Sequence, residues 1–419
     1  MTSSGVAGRV AVVDGVRTPF ARAGTLLKAR SARDLAVHTV DALLARGALD
    51  PAQVDELVFG NVVLDPRVPH LAREIVFASR LPSTVRALTI VDNCITGVSA
   101  MGIVMADMLV GRAEIGIAGG VESMSNPAVL FSRSASRKFV DLANARRLGA
   151  KLRAALRLRP GDFWPEAPAI AEPSTGLTMG EHCELMVKHW SVGRGEQDAL
   201  ACRSHRLAHA ATEDGRLPAE IAPLDGVDRD NLVRPETSIE KLAALPPVFD
   251  RRPSGTITAG NSSPLTDGAA AVLLMSERRA EREGREPLAF IRGIATASID
   301  PADGLLMGPA VAVPRVLEES DLALADMDLV EMHEAFAGQV LCNLKAWELG
   351  WKEAAIGRVA AERLNPLGGS IALGHPFAAT GARIVTTLAR ELARRGGRYA
   401  LVSICGAGAT AVAMVLERP

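Results

Sequence analysis

LDPAQVDELVFGN, residues 49–61, and DLALADMDLVEMHE, residues 321–334, carry the same order of features about 273 residues apart. Each runs into a short apolar stretch that suits a buried strand. The surroundings repeat as well. RVAVV at 9–13 is a β-branched strand candidate, and Asp34–Arg46 has apolar residues at helical spacing. Met101–Val110 reads as a helix and Glu114–Ala118 as the next strand. In the second half, Leu288–Ile294 is a strand and Pro309–Leu317 a helix. Ala382–Arg394 is a helix, and Tyr399–Ile404 a strand about 285 residues after Glu114–Ala118. Matching order and offset predict a duplicated α/β chain with a largely parallel sheet.

The 419 residues suit two or three domains. Apolar residues make up 48% and charged residues 23%, which excludes a disordered or fibrous chain. No segment has the ~18 apolar residues needed to cross a bilayer. The opening MTSSGVAGRV has neither a signal core nor an Arg-rich presequence, so a protein that is not exported is expected. The net charge of −1 excludes a globally basic nucleic-acid binder. Five cysteines without a CxxC pair argue against a disulfide framework or zinc ribbon, and no metal site is predicted. His205 and His209 are spaced i, i+4 without the glutamate of HExxH, and His182, Cys183 and His189 lack a fourth ligand. These are read as structural.

Between the halves, Ser123–Arg252 is rich in Arg, Pro and acids, with helices that look amphipathic rather than sheet-covering. Within it, Phe131–Pro160 holds nine basic residues against the single acid Asp141, with Leu148, Leu152, Ala155 and Leu156 at helical spacing. That pattern fits a solvated face packed on the body, or contact with phosphates or an anionic membrane.

Cys94, in TIVDNCITGVSAMG, falls between a strand (Ala87–Val91) and a helix (Ile95–Val110). A helix N-terminus favours thiolate, which makes Cys94 a candidate nucleophile. A buried apolar cysteine is the competing reading. NPLGGSIALGHPFAATGARIV, 365–385, surrounds His375 with glycines that allow close backbone approach. His333 in EMHEAF and Cys405 in SICGAGAT also stand at strand ends. Two Cys and two His at strand ends form a cluster where such sheets bind ligands.

These motifs, with RTPF at 17–20 and GTITAGNSSPLTDGAA from Gly255, resemble the thiolase superfamily over nearly the whole chain. The basic insert SRSASRKFVDLANARRLGAKLRAALRLR and the following EAPAIAEPSTGLTMGEH most resemble the β-subunit of the fatty-acid trifunctional enzyme and its bacterial counterparts. The resemblance implies two βαβαβαββ halves in a layered α-β-α-β-α body. The first half would span 1–122, completed by 253–285, and the second 286–419, with 123–252 as an inserted loop domain.

It also implies degradative cleavage of 3-ketoacyl-CoA by CoA, with CoA as substrate and no resident cofactor. Cys94 matches the nucleophile, His375 the base that takes its proton, and Cys405 the second acid/base. His333 matches the residue that holds the enolate oxygen with a water and His375. Biosynthetic members often carry Asn there. The backbone N–H groups of Cys94 and Ala407 match the other oxyanion site, although many relatives have Gly at the latter, and Thr96 stands where Ser is frequent. Ser263 matches a contact to the pantetheine arm of CoA, and Met179 a residue lining the cofactor slot. Implied partners are a second copy of the chain, a hydratase/dehydrogenase α-subunit and a membrane surface. The implied location is the cytoplasm or, for a processed chain, the mitochondrial matrix. Competing readings are an acetoacetyl-CoA thiolase and a silent acyl-CoA-binding or scaffold protein. All four reactive positions are filled, which argues against the silent protein.

Overall fold

The computed structural model describes residues 8–166 and 171–419. The reading of the first residues as lacking a leader, and residues 167–170 of the EAPAIAEPSTGLTMGEH motif, fall outside that range. Ten strands form the sheet: β1 (Val10–Arg17), β2 (Ala21–Arg22), β3 (Glu56–Gly60), β4 (Arg86–Ile90), β5 (Ile115–Glu122), β6 (Thr266–Ser276), β7 (Ala289–Ser298), β8 (Leu329–Met332), β9 (Tyr399–Gly406) and β10 (Thr410–Glu417). Their order is β4-β3-β5-β6-β1-β7-β10-β9-β8, with β2 against β6.

Read outward from the β1–β7 contact, the order is the duplication. β1 and β7 are followed by β6 and β10, then β5 and β9, then β3 and β8. Pairing directions agree too: antiparallel, antiparallel, then parallel in both halves. Where the first half adds β4 in parallel to β3, the second half has, among the described residues, only a parallel bridge between Val330 and Leu364. The two echoing sequences are β3 and β8, as their match predicts. The expectation of a largely parallel sheet is wrong, since three of nine strand pairings are parallel. Each half ends on a strand that returns antiparallel, and β9 does so into β10 through the tight turn Ala407–Ala409. Three residue pairs of β1 and β7 join the halves.

Period-two alternation along the strands sorts their side chains into three cores. Leu57 and Phe59 of β3 and Ile117 of β5 face the helices Ala32–Arg46 and Leu71–Ala78 through Leu35, Leu43 and Ile75. Val58 and Ala118 face the opposite way, toward Val98 and Met101 of the helix Thr96–Leu109. That central core also holds Ile384 and Leu388 of the helix Thr380–Arg395, with Val402, Ile404 and Val412 closing it from the second half. Leu401 and Val415 point to the third core, under Val313 of the helix Pro309–Glu319 and Trp347 of the helix Ala337–Leu349. The result is the expected five layers of α, β, α, β, α.

Among the described residues, the segment between β5 and β6 adds no strand to the sheet. Its helix Met179–His189 packs on the helix Ala337–Leu349, with Cys183, Met186 and Val187 buried in the third core. The helices Arg133–Asn144 and Leu148–Ala155 behave differently. Leu148, Leu152 and Leu156 are 85, 62 and 77% exposed, so their apolar stripe faces outward and is not packed on the body. No helix of the described residues is long and apolar enough to cross a membrane.

Candidate active site

The two central helices cross at their N-terminal ends. Gly97 and Gly381 meet there, and a Cβ on either would lie 2.8 Å from a backbone nitrogen of the other helix, Ala382 N or Val98 N. Only glycine permits that approach. It brings the ends of both halves' loops to one point. Ahead of Gly97, a 3-10 turn at Asn93–Ile95 carries Cys94, tied down by Thr96, whose hydroxyl donates to Asn93 O and accepts from Asp92 N–H. Thr96 thus supplies the hydroxyl that serine would. Asn93 Nδ2 donates to Ala407 O at 2.9 Å, binding the turn to the β9–β10 loop of the other half.

Ahead of Gly381, His375 follows Gly374, whose φ of 99° favours glycine and whose missing side chain leaves room for Leu232 and Thr266. The His375 N–H donates to Thr266 Oγ1 at 3.0 Å. Its ring spans two partners: Nδ1 lies 2.7 Å from Thr380 Oγ1 and Nε2 3.2 Å from Cys94 Sγ. The His333 ring lies 4.1 Å from that of His375, centre to centre. Cys94, His333 and His375 each place one donor atom within 4.8 Å of the other two, a set soft enough to hold zinc.

The electrostatics differ from the expectation of a depressed thiol. Burial pushes the Cys94 thiol up to about 12, against the pull of the nearby Ala407 and Cys94 N–H groups. Burial, aided by the positive charge of Arg383, holds His375 down to about 3. The helix end is therefore outweighed by desolvation. The resting pair is neutral: the thiol donates to Nε2, and the Nδ1–H donates to Thr380.

Cys405 lies in β9 two residues before Ala407, fully buried, with its thiol raised by burial and by the nearby Cys94. Ser263 N–H donates to Ala335 O beside the EMHEAF loop, two residues from the Leu265 bridge to His375. Met179, at the first turn of its helix, packs on the third core with Phe249. All five cysteines are free. His205 Nδ1 accepts the Arg234 N–H and His182 bonds Thr175, in keeping with structural roles.

Several buried groups escaped the sequence reading. Glu122, raised to about 7 by burial, accepts from Asn61 and from the Val62 and Val63 N–H groups beneath the Cys94 turn. Glu334 accepts from Ser204, Asn365 and the Ile371 N–H, fastening EMHEAF to the His375 loop. Glu331 pairs with Arg383, and Arg383 donates to Ser370. Glu331, Glu334, Ser370 and Arg383 stand inside the quoted motifs, which was the available signal.

Residues 10–278 match the family described as thiolase, N-terminal domain, and residues 285–418 that described as thiolase, C-terminal domain. The chain is 46% identical to a 3-ketoacyl-CoA thiolase of Aeromonas salmonicida, over 98% of this chain and 97% of the relative. Among solved structures, Bacillus anthracis acetyl-CoA acetyltransferase superposes with a TM-score of 0.85 at 32% identity, covering 99% of this chain and all of the other. Human mitochondrial 3-ketoacyl-CoA thiolase in complex with CoA gives 0.84 at 32% identity, covering 99% of each chain.

Proposed function

The chain belongs to the thiolase family, and from that premise we propose that it is a degradative acyltransferase. It cleaves 3-ketoacyl-CoA with CoA, giving acetyl-CoA and a shortened acyl-CoA, as in fatty-acid β-oxidation. The observation that carries this reading is the Cys94 sulfur, 3.2 Å from His375 Nε2 and facing the N–H groups of Cys94 and Ala407. His375 takes the thiol proton as the sulfur attacks the 3-keto carbon, and the two N–H groups receive the oxygen that becomes negative. The C2–C3 bond then breaks. The electron pair leaves as the enolate of acetyl-CoA, held by His333 and protonated by Cys405. Cys405 next takes the proton of the incoming CoA thiol, whose attack on the acyl-Cys94 thioester releases product. A raised Cys405 thiol suits its first task as an acid. Ser263 contacts the pantetheine arm and Met179 lines its slot, and CoA acts as substrate with no resident cofactor.

Residues 123–252 form an insert in the first half, whose N-terminal part, 1–122, is completed by 253–285; residues 286–419 make the second half. A homodimer is supported by β4, an edge strand paired, among the described residues, only with β3. Exposed Phe77, Val91, Leu109 and Val110 lie on or next to the elements that flank it. An anionic membrane surface is the partner proposed for the helices at 133–155, whose exposed leucines alternate with Arg146, Arg147, Lys151 and Arg153. A hydratase/dehydrogenase α-subunit would complete the assembly. The cytoplasm is the proposed location.

The test is the rate of thiolysis against acyl length, from four to sixteen carbons, with Cys94→Ala as control. Turnover of long chains, abolished in the variant, is expected. Activity confined to four carbons would move the protein to the acetoacetyl-CoA branch, and none at any length would make it an acyl-CoA-binding protein.

A further inference from the structure

His333 is wholly buried, with Nδ1 2.8 Å from Ser370 Oγ and Nε2 without a hydrogen-bond partner among the described residues. A neutral imidazole carries one proton, and which nitrogen holds it decides whether the free atom is a donor or a lone pair. Burial, aided by the positive charge of Arg383, holds the ring well below the usual histidine range, so it is neutral.

Ser370 resolves the choice. Its hydroxyl is buried, and its two partners are His333 Nδ1 and Arg383 Nη2, the latter at 3.2 Å. A guanidinium only donates, so the serine oxygen accepts from Arg383. The hydroxyl hydrogen then has one acceptor among its hydrogen-bond partners, the Nδ1 lone pair of His333. The opposite arrangement, with Nδ1–H donating to Ser370, would leave that hydrogen unpaired and a bare lone pair at Nε2, both out of water. Arg383 cannot turn away, because its other Nη is paired with the equally buried Glu331.

We propose that Ser370 and Arg383 are positioning residues that hold His333 with its proton on Nε2, so that an N–H faces the space beside Cys94 and His375. The use of that N–H, to hold the enolate oxygen, rests on the function proposed above; the tautomer does not. With Nε2 protonated, His333 also has no lone pair there to offer a metal.

The measurement is ¹⁵N NMR of the full-length protein with labelled histidines, using His333→Asn to assign the ring signals. A pyridine-type Nδ1 and a pyrrole-type Nε2 are expected for His333. In Ser370→Ala the two should mix or exchange, with kcat lower by roughly 10- to 100-fold, the range for loss of an orienting outer partner, and KM little changed. Ser370→Thr, which keeps the hydroxyl, should restore both readouts. A merely structural role would lower the melting temperature of Ser370→Ala and leave the tautomer of the folded protein as it was. That result, or a protonated Nδ1 in the unmodified protein, would overturn the proposal. A protein with the expected tautomer and no thiolysis would instead sink the functional reading.

Discussion

Cys94 and His375 meet as a neutral pair, and the reactivity of the thiol follows from that. With the thiol at about 12, the thiolate fraction rises tenfold per pH unit across the neutral range. Alkylation of Cys94 by iodoacetamide in the free protein should therefore climb steadily from pH 6 to 9. A plateau in that window would show a thiolate at rest. Thiolysis should not follow the same slope, because His375 removes the proton only as the sulfur attacks. Truncation of the hydroxyl that orients the base, Thr380→Ala, should lower kcat roughly 10- to 100-fold while the alkylation profile keeps its shape. Acid has a separate effect. His375, at about 3, and His205, at about 4, stay neutral in the folded chain, whereas an unfolded histidine takes up a proton near 6.5. The unfolded state then binds more protons, so these groups withdraw stability as pH falls from 6.5 toward 4. Glu122 and Glu331, raised to about 7, act in the opposite sense between 4.5 and 7. His205→Gln, which removes one histidine and none of the carboxyls, should narrow the loss of melting temperature between pH 7 and pH 5.

The crossing of the helices Thr96–Leu109 and Thr380–Arg395 belongs to the scale of elements. Gly97→Ala or Gly381→Ala forces a methyl group against backbone and should cost about 1–3 kcal/mol, read by denaturant unfolding, together with a fall in kcat. The same substitution at Gly102, on the same helix with no heavy atom nearer than 3.8 Å, should cost little. Sequence pattern served well here where an element has a local signature. The match of DELVF with MDLVEM gave β3 and β8, and the glycines around His375 announced a tight loop. The strands β6 and β10 were not recognised, because a continuous apolar run such as AAAVLLM has no period to separate strand from helix and no trace of direction. A pattern that lacks those two antiparallel strands reads as a largely parallel sheet. In the site, motifs supplied Cys94, His333, His375 and Cys405. The protonation of Cys94 was not legible, since desolvation depends on what the other half lays over the thiol. Ser370 and Arg383 were missed as partners of His333 because 37 residues and a packing contact separate Ser370 from that ring.

At the scale of the whole molecule, the two partner surfaces proposed above each make a testable prediction. A dimer built on the β4 edge should run as twice the monomer mass in light scattering, and Val91→Asp, at an exposed position beside that edge, should shift it toward monomer. The outward stripe of Leu148, Leu152 and Leu156 should carry binding to vesicles rich in anionic lipid. Reversing Arg146, Arg147 and Lys151 should weaken that binding and leave thiolysis in solution unchanged; undiminished binding would remove the membrane from the list of partners. The seam between the halves has a further consequence. Nucleophile and base arrive from opposite sides of a seam that holds three β1–β7 residue pairs, the glycine crossing and the shared central core, while each side keeps an outer core of its own. A slight parting of the halves separates sulfur from imidazole long before either half loses its helices. Mild urea should therefore switch the enzyme off at concentrations where circular dichroism still reports a folded chain, and dilution should switch it on again.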